Sequence, residues 1–398
     1  LNVGDIIISV AQSEDEEPTE ISLMKLSDAT DLIKGEKGTK VYLTVKRVDG
    51  GVEQVVVTRD VVELEETYAK SSIINDDLSK YGLINLPRFY VDFDDYGERN
   101  AATDLKKEIL NLKSKGINGL ILDLRNNGGG SLKTVVDITG FFIEKGPVVQ
   151  VKSIGGRKEI LRDNDPSILW DGPLVVLVNE FSASASEILA AALQDYNRAV
   201  ILGSKQTYGK GTVQNIVDLN NVISGNTYGD LGSLKITTDK FYRVNGGSTQ
   251  LEGVKSDIIF TNRYSYIDIG EKDLENPLSW DKIDPARYNN SGKIFNYSQV
   301  ISDSKERINN NEYFALIDEH ASWIKSQQDD KIVSLDYLTY KRDLESSKSQ
   351  NNKLKRIEEF ESPYIFQWNN TNDKEDNSYN DDIKEKRDRW IESLKKDI

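Results

Sequence analysis

The sequence predicts an α/β core that follows a small β-rich module and precedes a helical extension. Apolar strands alternate with amphipathic helices between residues 80 and 263, which is typical of an α/β domain. Residues 1–60 instead contain short strands and one helix, and the chain beyond residue 264 is charged, Asn-rich and helical in its spacing. We therefore predict domains at 1–60, 80–263 and 264–398, with a polar linker over 61–79.

In the N-terminal module, apolar runs predict strands over residues 6–10, 41–48 and 52–58. The last two are joined by Asp49-Gly50-Gly51, a sequence that favours a tight hairpin turn. Residues 27–34 have helical spacing, and the glycines that follow them predict the end of that helix.

In the core, the pattern predicts strands and helices in alternation. The predicted helices cover residues 101–115, 132–142 and about 184–194, and the predicted strands cover residues 81–86, 119–124, 173–178, 199–202 and 212–217. Residues 173–178 are apolar without interruption, as expected for a strand buried on both faces of a parallel sheet.

Composition excludes several classes of function. The chain has 51 Lys and Arg against 66 Asp and Glu, and the resulting net charge of −15 argues against nucleic acid as a partner. It has no Cys, which excludes Cys-based zinc sites, iron–sulfur clusters and thiol catalysis. Its single His, His320, lies far from the core motifs, so a His-based catalytic triad is not expected. The sequence also has no apolar run long enough to span a membrane.

Two Gly-rich loops resemble phosphate-binding loops, but neither has the required spacing. Gly128-Gly129-Gly130 follows a strand and opens a helix, yet Lys stands at position 133 where the dinucleotide motif needs Gly. The segment over residues 203–212 has an extra residue before Gly-Lys, and a strand follows it instead of a helix. The first loop can still present backbone N–H groups to an anion, although a tight turn without a ligand is the simpler interpretation.

Three alternating serines, Ser182, Ser184 and Ser186, stand between a buried strand and an Ala-rich helix. A Ser in this place is usually an N-cap, but a nucleophile is also favoured there because the helix N-terminus stabilises an oxyanion. Spacing does not choose between the three. Lys210, between two glycines, offers a base if burial lowers its pKa. Gln214 is four residues further on, about 13 Å away along a fully extended strand.

Four motifs in order resemble the carboxy-terminal processing (tail-specific) proteases, which are serine peptidases with a PDZ domain. The matching segments cover residues 122–130, 182–187, 194–200 and 208–214, and Gly253-Val254-Lys255-Ser256-Asp257-Ile258 adds a fifth similarity. The chain beyond residue 264 is similar to the C-terminal extension of the larger periplasmic members. The resemblance implies an α/β protease core of the ClpP/crotonase-like type, a periplasmic location and no cofactor or metal.

The resemblance also implies the catalytic residues. Ser184, the middle serine, corresponds to the nucleophile, Lys210 to the general base and Gln214 to the residue that orients the base. The oxyanion hole then consists of the Ala185 N–H and an N–H of the glycine loop, from Gly129 or Gly128.

Three further residues, Glu187, Asp195 and Thr207, match positions that are linked to activity in the family. Glu187 is three residues after Ser184, which is the spacing of a capping box, so we interpret it mainly as a helix cap. Asp195 lies 11 residues after Ser184, about 16 Å along an unbroken helix. We therefore expect it to act structurally, near the helix end and Arg198.

The implied function is endoproteolysis of proteins that are selected by an apolar C-terminal tail, through an acyl-enzyme and with an adaptor protein as a further partner. The alternative is a non-catalytic peptide-binding scaffold on the same fold. Leu1-Asn2-Val3-Gly4-Asp5 resembles a motif inside the family's PDZ domain, so residues 1–60 are expected to be a truncated PDZ module with an incomplete peptide groove. Such a module should recognise tails poorly.

Overall fold

The computed structural model describes residues 5–22, 24–47, 50–59, 67–92, 95–222, 227, 229–289, 297–332, 334–369 and 380–397. They divide into two units, Leu1–Glu65 and Glu66–Ile398. Two of the predicted features, the first four residues of the PDZ-like motif and Asp49 of the hairpin turn, lie outside the described residues. In the part of the chain that is described, no helix combines the length and apolar character needed to cross a membrane.

The N-terminal unit is an antiparallel sheet with one helix. Its elements are β1 (Ile6–Ala11), β2 (Thr19–Glu20), α1 (Leu26–Ile33), β3 (Lys40–Lys46) and β4 (Val52–Thr58), and the strand order is β2-β1-β3-β4. Alternate residues of β3, namely Val41, Leu43 and Val45, are buried and pack against Ala29 of α1 and other apolar side chains. The strands and the helix predicted for this module are confirmed. Apolar residues alternate with polar ones along β3, so that one face of this strand is apolar and packs in the core of the module.

The second unit contains the remaining elements, numbered in chain order. Its strands are β5 (Lys70–Asn75), β6 (Lys80–Asn85), β7 (Gly119–Asp123), β8 (Gly146–Ser153), β9 (Lys158–Asp163), β10 (Leu174–Val178), β11 (Val200–Gly203), β12 (Thr212–Asp218), β13 (Ser233–Tyr242), β14 (Ile258–Ile259) and β15 (Ile365–Trp368). Its helices are α2 (Ala101–Ser114), α3 (Leu132–Gly140), α4 (Ala185–Asp195), α5 (Leu219–Val222), α6 (Tyr297–Asn309), α7 (Glu312–Asp329), α8 (Tyr337–Glu358) and α9 (Asn380–Lys395).

The central sheet of this unit has the order β14-β11-β10-β7-β6-β5-β15. The strands from β14 to β6 run parallel, and β5 and β15 pair antiparallel at one edge. β10 lies inside the sheet, and its Leu174, Val176 and Val178 are buried in the core to which α2, α3 and α4 also supply side chains. Val175 and Leu177, on the other face of β10, are only partly buried, so the uninterrupted apolar run overstates the burial of that face. The predicted α/β core is therefore confirmed.

A second sheet, with the order β12-β13-β8-β9, is antiparallel throughout. The sequence analysis did not predict β8 or β9, which have mixed polar and apolar residues. At the junction of β12 with β13, the register shifts between Val213 and Gln214, which indicates a β-bulge.

The prediction of a linker over residues 61–79 is wrong for residues 70–75. This segment is β5, and its Ser71 and Ser72 are fully buried in spite of their polarity. The Ser71 hydroxyl donates a hydrogen bond to the buried carboxylate of Glu108 on α2. A polar partner that is distant in sequence therefore makes this polar strand stable inside the protein.

The extension is helical from Tyr297 onward, as predicted, except for β15 and the loops between its helices, whereas residues 264–289 are mainly irregular with one short 3-10 turn at Glu271–Asp273. That strand pairs with β5 from Ile365 opposite Asn75 to Trp368 opposite Ser72. Just after it, the buried Asn369 donates from Nδ2 to the Ser71 hydroxyl over 2.6 Å. The extension thus completes the edge of the central sheet.

Candidate active site

Three segments of the second unit meet at the carboxyl ends of the neighbouring parallel strands β7 and β10. The glycine loop, residues 126–130, follows β7, and the serine turn, residues 182–187, follows β10. The lysine loop, residues 207–211, precedes β12. Backbone hydrogen bonds join them: Ala183 N donates to Asn127 O over 3.0 Å, and Tyr208 N donates to Ser182 O over 3.0 Å.

The surroundings of the three serines differ. Ser182 is fully buried, and its hydroxyl donates to Leu124 O over 2.9 Å. Ser186 is also fully buried, and its hydroxyl donates to Asn127 O over 2.8 Å. Ser184 is partly exposed. Ser182 and Ser186 therefore hold the serine turn against the glycine loop, and Ser184 is the one of the three that a substrate can reach.

The backbone of Ser184 has φ 57° and ψ −110°, a conformation that residues with a Cβ rarely adopt. Such a conformation raises the energy by about 1–3 kcal/mol and persists only where neighbouring contacts hold it. Here the contacts are the hydrogen bond from Ala183 N to Asn127 and the bond of 2.7 Å from Ser184 N to the Glu187 carboxylate.

Glu187 is fully buried and accepts four hydrogen bonds. Its Oε2 accepts from Ser184 N over 2.7 Å and from Lys210 N over 3.0 Å. Its Oε1 accepts from the Thr207 hydroxyl and from Gly209 N, each over 2.7 Å. Burial raises the pKa of Glu187 to about 7, while the four donors act in the opposite direction by favouring the ionised form. One carboxylate thus joins the backbone at Ser184 to the lysine loop.

The sequence analysis interpreted Glu187 mainly as a helix cap, and this interpretation is incomplete. The capping contact to Ser184 N is present, but three of the four donors come from the lysine loop. Spacing along one helix cannot reveal partners that lie about twenty residues away on another segment. Thr207, the third of these family positions, is buried and is one of the donors.

Lys210 is partly buried and lines a cavity of about 410 Å3 together with Gln214. Burial, and then the nearby charge of Lys235, lower the pKa of the Lys210 amine. Its Nζ donates to Gln214 Oε1 over 3.0 Å. Although a fully extended strand would place the two residues about 13 Å apart, their side chains meet. Lys210 precedes β12, and a β-bulge lies between Val213 and Gln214, so the segment that joins them is not a regular strand.

In the described structure, the hydrogen bonds of Lys210 Nζ do not include one to the Ser184 hydroxyl. The two residues are brought into the same site through their backbone bonds to Glu187.

The glycine loop lies directly against the serine turn. A Cβ added to Gly129, whose φ is +102°, would lie 2.9 Å from Ser184 Cβ and 3.0 Å from Ala185 N. The Gly129 N–H already donates to Asn127 Oδ1 over 2.9 Å. Gly128 lines the cavity that holds Lys210. Of the two glycines proposed from the sequence, Gly128 is therefore the one that lines the Lys210 cavity, whereas the N–H of Gly129 is already bonded to Asn127.

Asp195 lies at the C-terminal end of α4, away from this cavity, as expected. Asp195 pairs with Arg243 over 2.6 Å and also accepts from Asn245 Nδ2 over 2.8 Å. Arg198 is instead fully buried and donates to the carbonyl oxygens of Phe142, Trp170 and Gly172. The contacts of Asp195 at the end of α4 are those of a structural residue, and they are made with the segment after β13, while the neighbouring Arg198 side chain extends into the core.

The sequence analysis missed several residues that shape the site. Asn127 is fully buried; its Nδ2 donates to Leu86 O over 2.8 Å and its Oδ1 accepts from Gly129 N. Gln250 is also fully buried, and its Oε1 accepts from Gly211 N over 2.8 Å. Asn127 stood inside a recognised motif and could have been identified, whereas an isolated Gln carries no such signal.

His320, the single histidine, does not take part in this site. It is partly buried on α7, stacks on Trp323 and lines a separate cavity of about 730 Å3. Among the residues that the structure describes, no group of three or more acidic or His side chains could hold a metal ion.

Comparison with known proteins gives two consecutive family matches. Residues 80–260 match peptidase family S41, and residues 264–398 match the C-terminal domain of tail specific protease. The chain is 37% identical to a tail-specific protease of Haemophilus influenzae, over 90% of this chain and 50% of that protein. It is 33% identical to a carboxy-terminal-processing protease of Bartonella bacilliformis, over 64% of this chain and 56% of that protein. The chain therefore spans about half the length of these curated relatives.

Among solved structures, a photosystem II D1 C-terminal processing protease aligns with 64% of this chain and 63% of its own. The two are 26% identical, and the TM-score is 0.41.

Proposed function

Residues 80–260 belong to peptidase family S41 and are followed by the C-terminal domain of tail-specific proteases, and on this premise we propose that the chain is a serine endopeptidase that uses Ser184 and Lys210. The observation that carries the proposal is the Glu187 carboxylate, which accepts from the backbone N–H groups of both residues. A hydroxyl and an amine of lowered pKa are thereby fixed in one site.

In the proposed reaction, the neutral Lys210 amine removes the proton of the Ser184 hydroxyl as the oxygen attacks the scissile carbonyl. Burial favours the neutral amine, and Gln214 Oε1 orients it. The N–H groups of Ala185 and Gly128 stabilise the oxyanion of the tetrahedral intermediate. The Lys210 ammonium then gives its proton to the leaving amine, and water activated by Lys210 releases the acyl group.

Two contacts stabilise the geometry this reaction needs. Nζ donates to Gln214 in the described structure, so proton transfer requires Nζ to come closer to Ser184 while it stays within reach of Gln214. The bond from Lys210 N to Glu187 holds the backbone of the lysine loop. A resting site with loose catalytic hydrogen bonds that shorten on substrate binding is common among enzymes.

For the finer parts of the proposal, we assign the core to the ClpP/crotonase-like fold and residues 1–60 to a PDZ-like module that selects apolar C-terminal tails only weakly. The parallel strands followed by helices support the first assignment, and the antiparallel sheet with α1 supports the second. The expected partners are proteins with apolar C-termini and an adaptor protein, and the expected location is the periplasm.

Cleavage of an unfolded protein that ends in apolar residues tests the mechanism. Ser184→Ala should abolish cleavage, and Lys210→Ala should lower kcat/KM by about 10²–10⁴-fold. The matched controls are Ser302→Ala on α6 and Lys205→Ala, which is exposed in the loop before Lys210, and both should leave the rate unchanged. Cleavage that survives Ser184→Ala would show that the nucleophile is another residue.

The same substrate with charged terminal residues tests tail selection. We expect the apolar tail to be cleaved faster, and equal rates for the two tails would contradict selection by this chain. Binding of the apolar tail without any cleavage by the unaltered chain would instead support the scaffold alternative.

A further inference from the structure

The segment Glu271 to Leu278, called the wall segment below, is fixed directly onto the lysine loop although it lies beyond the part of the chain that matches the peptidase family. Glu271 N donates to Tyr208 O over 2.9 Å, two residues before Lys210. The residue before it, Gly270, lies so close that an added Cβ would be 2.9 Å from the same oxygen. The first part of the wall segment therefore has little freedom to move away from the lysine loop.

The far end of the wall segment is fixed through the buried Gln250. Its Oε1 accepts from Gly211 N over 2.8 Å, and its Nε2 donates to Leu278 O over 3.0 Å. A second donation from Nε2 reaches the Glu271 carboxylate over 3.3 Å. Because Gln250 is fully buried, these bonds are protected from water and hold the wall segment and the lysine loop as one body.

The wall segment and the catalytic residues enclose the same cavity of about 410 Å3. The core side is formed by Gly128, Lys210 and Gln214, and the opposite side by Glu271, Leu274 and Leu278 among others. Leu274 and Leu278 remain 49% and 46% exposed. Apolar side chains that line a cavity beside reactive groups offer contacts to an apolar ligand, since covering them removes their surface from water.

We infer that the wall segment forms a substrate subsite in which Leu274 and Leu278 contact an apolar side chain next to the scissile bond. This inference rests on the proposed function, because it assigns the substrate side chain that the same cavity accepts. It also means that the C-terminal domain contributes specificity-determining residues to the catalytic site. Pro277 adds apolar surface to the same wall.

The test uses the 398-residue chain and a set of peptides that differ only at the two residues flanking one scissile bond, with Leu or Ala at each place. The double substitution Leu274→Ser and Leu278→Ser should reduce the preference for Leu over Ala about tenfold or more at one of the two places. The control is Leu110→Ser on α2, where the leucine is 48% exposed, and it should keep the preference of the unaltered chain.

A second double variant, Leu274→Met and Leu278→Met, guards against simple misfolding, because Met conserves volume and apolar character. It should keep the preference for Leu, and all variants should react with a fluorophosphonate at Ser184 at rates close to that of the unaltered chain. An unchanged preference in the serine variant would overturn the subsite and leave the proposed function intact. Failure of the unaltered chain to cleave any peptide or to react with the fluorophosphonate would overturn the proposed function, and the subsite with it.

Discussion

Replacement of Asn127 by Asp gives a sharp test of how the glycine loop is held. The Asn127 amide is fully buried between two backbone groups: its Nδ2 donates to Leu86 O over 2.8 Å, and its Oδ1 accepts from Gly129 N over 2.9 Å. A carboxylate in its place keeps the acceptor for Gly129 N. Its second oxygen, however, faces the Leu86 carbonyl oxygen, so that two acceptors meet without a proton between them.

The expected magnitude follows from the burial of an uncompensated charge. At pH 8 the Asn127→Asp variant should lose about 3–5 kcal/mol of unfolding free energy. It should also lose about 10²–10³ in kcat, because the loop that carries the Gly128 N–H moves. The matched control is Asn126→Asp at the neighbouring exposed position, which should change the unfolding free energy by less than about 0.5 kcal/mol.

The effect should depend on pH in a definite direction. Burial and the facing carbonyl oxygen raise the pKa of the introduced carboxyl in the folded state above its unfolded value of about 3.9. A raised folded pKa gives a contribution to stability that is present at low pH and is lost as the pH rises through the folded value. At acidic pH the protonated carboxyl can donate to Leu86 O as the amide does, so the Asn127→Asp variant should recover much of its stability.

Urea unfolding of the second unit, followed by circular dichroism at pH 5 and pH 8, measures this difference, and peptide cleavage measures the catalytic part. If Asn127→Asp and Asn126→Asp unfold at the same urea concentration at pH 8, the buried amide does not hold the glycine loop and the reasoning fails.

Three further predictions concern separate contacts. In the proposed mechanism the neutral Lys210 amine is the active form, and burial together with the charge of Lys235 lowers its pKa. The value of kcat/KM should therefore rise with pH, and Lys235→Gln should move that rise to higher pH; a pH–rate profile that does not move would contradict this. Asp195→Asn should weaken the contact with Arg243 and lower the unfolding free energy by about 1–3 kcal/mol with little change in kcat, and a large loss of kcat without a loss of stability would show a direct catalytic role. Asn369→Ala removes a buried hydrogen-bond donor beside β15 and should destabilise the second unit by about 1–3 kcal/mol in urea unfolding, whereas no change would mean that β15 is held by its backbone bonds alone.

The parts of the fold that were predicted from the sequence are those with a strong local signal. For β10 the signal is an uninterrupted apolar run, and for α2 it is the helical spacing of apolar residues. Each pattern lies within the element itself, so the element can be predicted without knowledge of its distant partners. β5 and β15 lack such a signal, because the buried serines of β5 and the short, mixed sequence of β15 become stable only through each other and through Glu108. These two strands are separated by about 290 residues in the chain, a distance at which periodicity carries no information.

The candidate site shows the same division. The motifs predicted that Ser184, Lys210 and the glycine loop lie in one site. The reason to choose Ser184 over Ser182 lies instead in hydrogen bonds that form only after the serine turn has packed on the glycine loop. The contact between Lys210 and Gln214 depends on a bulge, which an estimate of strand length cannot include. The position of the wall segment could not be predicted from the sequence, because only the folded structure places its leucines beside the lysine loop.

The strand β15 has a consequence for how the protein is made. During synthesis the peptidase core emerges from the ribosome first. The strand that completes the central sheet is made only when residues 365–368 are added. Until then β5 presents an unpaired edge to which another chain could add. The Leu274–Leu278 side of the cavity is likewise synthesised after Lys210. A nascent or C-terminally truncated chain would therefore contain Ser184, Lys210 and Gln214 without a finished sheet, and the central sheet would be complete only once synthesis has passed residue 368.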